Sequence, residues 1–262
     1  TTGGLQSNHA RQTAGACAKL GLDCELVLTR NVPDTDPGYD KTGNIQLDHL
    51  LGAKLHLHPA GADRSALMAD VAAGLKAAGK RPYVIPLGAS DRLGSLVYVN
   101  AALELVAQAN SMELRIVYLV LANSSGGTFA GLAAGFAAMG YPVKLIGVDV
   151  DGNVNALRET VRPLMSEVLA GFDLESRINA VAMELLCGHA GPGYGRPTQD
   201  MREAVTLAAR HEGIILDPVY SGKAMSGVLG LIRAGRFSKE ETVVFLHSGG
   251  SPALFAYGSV FQ

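Results

Sequence analysis

Apolar positions along the chain alternate between two rhythms. Short β-type runs at 24–29, 54–58, 83–86, 116–122, 143–148, 214–217 and 243–247 predict strands. Between them, small and apolar residues at helical spacing predict helices over 10–20, 45–51, 63–78 and 98–110. Further helices are predicted from the Gly-Ala-rich stretch after Gly127 and over 153–171, 178–186, 198–211 and 224–234. Leu67, Val71 and Leu75 mark the apolar face of 63–78. Gly21, Gly79 and Gly213 stand where helices stop, Thr198 stands as an N-cap, and Pro252 suits the first turn of a last helix. Two stretches hold no pattern. One is 31–44, rich in Pro, Asp and Gly; the other is 187–197, where Gly188, Gly191, Pro192, Gly193 and Gly195 surround Tyr194. Alternating helix and strand is the signature of open parallel sheets. With Gly88-Ala89-Ser90 as a candidate junction, the chain divides into a smaller α/β domain at 1–97 and a larger one at 98–262.

Composition adds limits. A length of 262 residues, 48% hydrophobic and 18% charged with 32 glycines, fits tightly packed α/β layers. A formal charge of −2 gives no electrostatic reason to expect nucleic acid, and no apolar run is long enough for a membrane span. Cys17, Cys24 and Cys187 form no C-x-x-C pair and leave an odd count, which predicts reduced, packing thiols in a cytoplasmic protein. The chain opens Thr1-Thr2-Gly3-Gly4, without Met or targeting segment, so processing or missing N-terminal elements is the expectation.

Chemistry concentrates where strands end. The run 116–122 leads through Asn123 into Ser124-Ser125-Gly126-Gly127-Thr128 and then a helix. Such a turn exposes backbone N–H groups at the positive end of a helix dipole, with Ser124, Ser125 and Thr128 as hydroxyl donors, and suits a phosphate. It lacks the lysine of the P-loop and the spacing of the dinucleotide fold, and it reads equally as an ordinary tight connection. Gln6-Ser7-Asn8-His9 makes a second polar helix start, and in a parallel sheet such ends gather at one edge. His49, His56 and His58 lack companions at ligand spacing, so no metal is expected. Arg11 reads as a surface or interdomain residue, and Asp217, before Pro218, as a turn former.

Five ordered motifs carry a family resemblance over essentially the whole chain: Gln6 to Thr13, Ser124 to Leu132, Gly193-Tyr194-Gly195, Asp217 to Met225 and His247 to Phe255. Together they resemble the D-cysteine desulfhydrase and 1-aminocyclopropane-1-carboxylate deaminase family, pyridoxal-phosphate enzymes of the tryptophan-synthase-β fold (fold type II). The segment 98–110 is similar to the L-cysteate sulfo-lyase branch.

The resemblance implies two open parallel-sheet α/β domains and pyridoxal 5'-phosphate as cofactor. Ser125, Gly126, Gly127 and Thr128 would hold its phosphate, Asn8 its phenolic oxygen, and Ser221 its pyridine nitrogen. Gln6, Ser7 and His9 would face the substrate; Ser7, Tyr194 and Tyr220 would be catalytic. A carboxylate beside the ring nitrogen would enforce its protonation, which ring opening of aminocyclopropane carboxylate exploits. The neutral Ser221 instead favours α,β-elimination on D-cysteine or L-cysteate to pyruvate and ammonia. The family lysine that binds the cofactor lies upstream of the Gln-Ser-Asn-His motif, and no lysine precedes Lys19, so the N-terminal segment is expected to be absent. The alternatives are the deaminase reaction or a catalytically silent homologue. Ser124, where the family has Gly, would take a strained φ, and Phe129 would replace a polar residue at the cradle. A cytoplasmic homodimer acting on a small amino acid completes the expectation.

Overall fold

The computed structural model describes residues 1–33 and 35–262; of the expected loop at 31–44, Asp34 lies outside the described residues. The chain divides into two units, one formed by 1–89 with 250–262 and the other by 90–249. The expected boundary at 97/98 instead falls inside a helix, and the last residues return to the smaller unit.

In the smaller unit, β1 (Thr2–Gly4), β2 (Glu25–Arg30) and β3 (Lys54–Pro59) form a parallel sheet in that order. Leu26, Val27 and Leu28 of the central strand are buried. Helix α1 (Asn8–Leu20) starts on Ser7, whose hydroxyl accepts from the Ala10 amide, and stops on Gly21 at φ 67°. Helix α2 (Asn44–Leu50) and helix α3 (Arg64–Ala77), the latter capped by Asp63, complete it. The expected strand at 83–86 does not form: Tyr83 is 73% exposed, and Pro86 has no N–H to give a ladder.

The larger unit is a four-stranded parallel sheet, β6 (Ala182–Leu186), β5 (Lys144–Asp149), β4 (Ile116–Asn123), β7 (Thr242–Leu246), in that order. Side chains alternate along β4. Leu119 and Leu121 pack with Phe129, Leu132 and Phe136 of α5 (Gly127–Met139), whereas Tyr118 and Val120 pack with Ala224 and Val228 of α8 (Ser221–Arg233). Both faces being covered explains why the strand reads as an unbroken apolar run. Helix α4 (Arg92–Ser111) lies on α5 so closely that a Cβ at Gly131 would overlap the Ser95 carbonyl oxygen. Helices α6 (Val154–Ala170) and α7 (Gln199–Glu212) follow their predicted spans, with Thr198 accepting from the Met201 amide.

Two expectations fail here. The segment 178–186 ends as strand β6, because Ala182-Met183-Glu184-Leu185-Leu186 is too short for its period to tell helix from strand, and pairing with β5 decides it. Residues 214–217 stay outside the sheet, where Ile214 and Ile215 are 41% and 46% exposed. Cys187 is exposed, so it does not pack; Cys17 and Cys24 are half-buried, and all three are free thiols. No helix among the described residues is long and apolar enough to cross a membrane.

Candidate active site

The connection from β4 to α5 has the anion-cradle geometry. Gly126 sits at φ 89° as the N-cap, and the first amide to donate along the helix is Ala130, to the Gly126 carbonyl at 2.9 Å. The amides of Thr128 and Phe129 precede it and belong to the first turn, which a helix leaves without internal partners. Ser90, which carried no signal in the sequence beyond the junction, stands over this turn. Its hydroxyl donates to Ser125 Oγ at 2.7 Å and accepts from the Gly127 amide at 3.2 Å. A Cβ at Gly127 would approach Ser90 Oγ to 2.7 Å, so glycine is required by that contact.

The strain expected at Ser124 is absent, since it is not among the non-glycine residues with positive φ; Gly126 makes the turn instead. Ser124 Oγ donates to Asp151 Oδ2 at 2.5 Å. Phe129 is buried in the core over Gly147, so its apolar side chain does not belong to the cradle.

At the start of α8, Asp217 is a buried turn former. Its Oδ1 accepts from the Val219 and Tyr220 amides, both at 2.7 Å, and its Oδ2 from the Ser221 amide at 2.9 Å and the Ser221 hydroxyl at 2.6 Å. Burial pushes the Asp217 carboxyl up from its ordinary range, and the Ser221 hydroxyl and the three amides pull it back. Ser221 Oγ also accepts from the Asp217 amide at 2.8 Å. Its proton is thus committed to Asp217, and one lone pair remains. The hydroxyls of Tyr194 and Tyr220 meet at 2.7 Å, with their rings edge to face at 5.7 Å. Sequence placed these two tyrosines far apart; the fold brings them into one hydrogen bond.

Lys223, buried one turn into α8, donates to the carbonyls of Ala190 and Gly193 at 2.7 Å each and of Val150 at 3.2 Å. Burial lowers its ammonium to about 8, with Asp151, Asp149 and Asp217 acting in the opposite direction.

In the smaller unit, the Gln6 amide donates to the Tyr39 and Thr42 carbonyls at 2.7 and 3.0 Å and accepts from the Asn44 amide at 2.8 Å. Both of its N–H donors are spent on this loop. The hub is Asn44, fully buried and unforeseen: its Nδ2 donates to Asn8 Oδ1 at 2.7 Å and to the Gln6 carbonyl, and its Oδ1 accepts from Arg11 Nε. With Oδ1 of Asn8 fixed as acceptor, the group Asn8 has to offer is its Nδ2 donor. Ser7 Oγ accepts from Ala10, so its own proton is available to give. His9 Nε2 lies 2.8 Å from Thr1 Oγ1, and burial lowers the imidazole to about 4, leaving it neutral at ordinary pH. His56 is taken by Glu25, at 2.7 Å.

A model of the family "Pyridoxal-phosphate dependent enzyme" matches residues 2–249. The chain belongs to the pyridoxal-phosphate dependent enzyme family. It is 40% identical to a 1-aminocyclopropane-1-carboxylate deaminase of Burkholderia multivorans over 99% of this chain and 78% of that one. It is also 40% identical to a D-cysteine desulfhydrase of Klebsiella pneumoniae, over 98% and 77%. Among solved structures, an ACC deaminase homologue superimposes with a TM-score of 0.84 at 32% identity, covering 99% of this chain and 76% of that one. The processed form of threonine deaminase isoform 2 from Solanum lycopersicum shares the fold, with a TM-score of 0.62 at 16% identity, over 99% and 71%. The protein is therefore a fold type II enzyme that uses pyridoxal 5'-phosphate, within the ACC deaminase and D-cysteine desulfhydrase group. The residues fit the cofactor: the first-turn amides of Thr128 and Phe129, the open backbone of Gly126, and the Ser125 hydroxyl, whose proton is not given to Ser90, put donors together at a helix N-terminus.

Proposed function

We propose that the enzyme catalyses α,β-elimination on a small sulfur-bearing amino acid, D-cysteine or L-cysteate, rather than opening a cyclopropane ring. Two relatives of equal identity carry the two activities in their names, so the choice rests on the site. The observation that carries it is Ser221: a hydroxyl that gives its proton to Asp217, standing where ring opening would call for a carboxylate.

Bound pyridoxal phosphate supplies an electron sink for the pair left when the Cα proton departs. Ser125, Gly126, Gly127 and Thr128 would hold its phosphate, the Asn8 amide would donate to its phenolic oxygen, and Ser221 would face its ring nitrogen. The Ser7 proton is given to the substrate carboxylate, and neutral His9 lines the substrate without adding charge. The Tyr194–Tyr220 pair holds one proton between two oxygens and passes it to or from the substrate. In the overall change the Cα–H and Cβ–S bonds break, sulfur leaves with its electron pair, and one water converts the resulting enamine to pyruvate and ammonia. Leu93, Leu96, Val97 and Leu103, all exposed along α4, supply an apolar stripe for a second copy of the chain, and the free thiols suit a cytoplasmic setting.

The test uses the protein as it occurs, including any residues upstream of Thr1. Visible absorbance from bound cofactor, with pyruvate and either sulfide from D-cysteine or sulfite from L-cysteate, is the expected result. Cofactor absorbance without pyruvate from either amino acid would contradict elimination and leave a silent homologue or a deaminase.

A further inference from the structure

The loop that carries Tyr194 is built to be loose. Gly188, Gly191, Gly193 and Gly195 all take positive φ, and each glycine adds backbone freedom that must be restrained before a side chain there holds a fixed place. Within the loop, Gly193 N donates to the Ala190 carbonyl at 3.4 Å and Arg196 N to the Gly193 carbonyl at 3.2 Å.

The strong tie comes from outside. Lys223, with no solvent exposure, has three N–H donors and spends each on a carbonyl, two of them (Ala190 and Gly193) in this loop and the third (Val150) at the end of β5. Charge-assisted bonds of this kind are among the stronger ones a loop can receive. The same helix start carries Tyr220, which Asp217 fixes through its amide. One turn of α8 therefore fixes one tyrosine directly and the other through a cation.

We infer that Lys223 is a positioning residue, its ammonium serving as a built-in cation in a cage of three backbone carbonyls that holds Tyr194 against Tyr220. The inference rests on the proposed role of the two tyrosines for its effect on turnover, but the clamp itself can be measured without turnover. Charged and titratable groups around the cage are Asp149 at the end of β5, Asp151 just after it, Asp217 before α8, and His189 on the loop, which is hydrogen-bonded to Ser226.

The experiment is hydrogen exchange of peptides covering 188–196, in the wild type and in Lys223→Met, with ammonium chloride or tetramethylammonium chloride at equal ionic strength. Removing the ammonium is expected to speed exchange in this loop about tenfold or more while α5 keeps its protection. Ammonium ion, which fits the vacated carbonyls, is expected to restore much of the protection; the bulky tetramethylammonium is not. If turnover is elimination, kcat falls about tenfold or more and KM changes less than about threefold, because substrate contacts are untouched. Unchanged loop protection in folded Lys223→Met would overturn the inference, as would a loss spread evenly over α5, α7 and α8. Normal loop loosening with no turnover even in the wild type would instead count against the elimination reading alone. Should Lys223→Met not fold, the wild type labelled with 15N-lysine decides: a slowly exchanging Nζ signal coupled to the Val150, Ala190 and Gly193 carbonyl carbons supports the cage, and a rapidly exchanging Lys223 signal overturns it.

Discussion

Asp48, on α2, is wholly buried and neither carboxyl oxygen has a hydrogen-bond partner among the described residues. Burial raises it to about 7, with the Arg11 guanidinium pulling the other way. The folded protein thus keeps a proton on Asp48 between its ordinary 3.8 and about 7, where the unfolded chain has lost it. Stability from this group is greatest below about pH 4, falls as pH rises through the interval, and is flat above it. Asp48→Asn is expected to raise stability by about 2–4 kcal/mol at pH 8 and by much less at pH 4, read by urea unfolding at both values. At the tyrosine pair, Tyr220→Phe and Tyr194→Phe are each expected to lower kcat by roughly a hundredfold with the bound-cofactor absorbance retained. Because the two hydroxyls form one hydrogen bond, the double variant is expected to be little worse than either single one. Steady-state kinetics of the three variants checks both statements.

At the scale of elements, the close approach of α4 to α5 is what fixes the N-terminus of α5 beneath Ser90. Gly135 repeats the contact of Gly131 one turn later, since a Cβ there would meet Ala102 Cβ at 2.7 Å and the Val99 backbone at 3.0 Å. Gly131→Val is expected to destabilise the protein by about 2–3 kcal/mol or more by overpacking this seam, and to weaken cofactor binding with it. Thermal unfolding and cofactor titration read the two effects together. The turn after β4 was legible in the sequence because apolar strand, Ser-Ser-Gly-Gly and helix are all local signals. Ser90 and Asn44 were not, because their partners lie 37 and 36 residues away, and only the fold joins them. The same holds for β6, whose strand state depends on β5, and for 83–86 and 214–217, apolar runs that find no neighbouring strand. The bonds of Gln6 to the loop at 39–44 were likewise not legible, because they join residues more than 30 positions apart.

At the scale of the whole molecule, both sheets are parallel and both place their polar, glycine-bearing turns at strand ends, which is the arrangement the alternating pattern of the chain implied. The proposed pairing of two copies through the exposed stripe on α4 predicts that Val97→Asp, placing a charge at a position 67% exposed, shifts the protein from dimer to monomer in light scattering without loss of folded structure. Function was legible down to cofactor and enzyme group, because each of the motifs that carry the family resemblance is a contiguous run of residues. The substrate was not, because relatives of equal identity carry different activities in their names, and the proposed choice between them turns on one side chain, Ser221, with its hydrogen-bond partner. The most direct measurement is the identity of the keto acid formed by the cofactor-loaded enzyme when D-cysteine, L-cysteate and 1-aminocyclopropane-1-carboxylate are supplied in turn. Pyruvate from one of the sulfur amino acids, in large excess over any 2-oxobutyrate from the cyclopropane, is the predicted result; 2-oxobutyrate as the dominant product would contradict it.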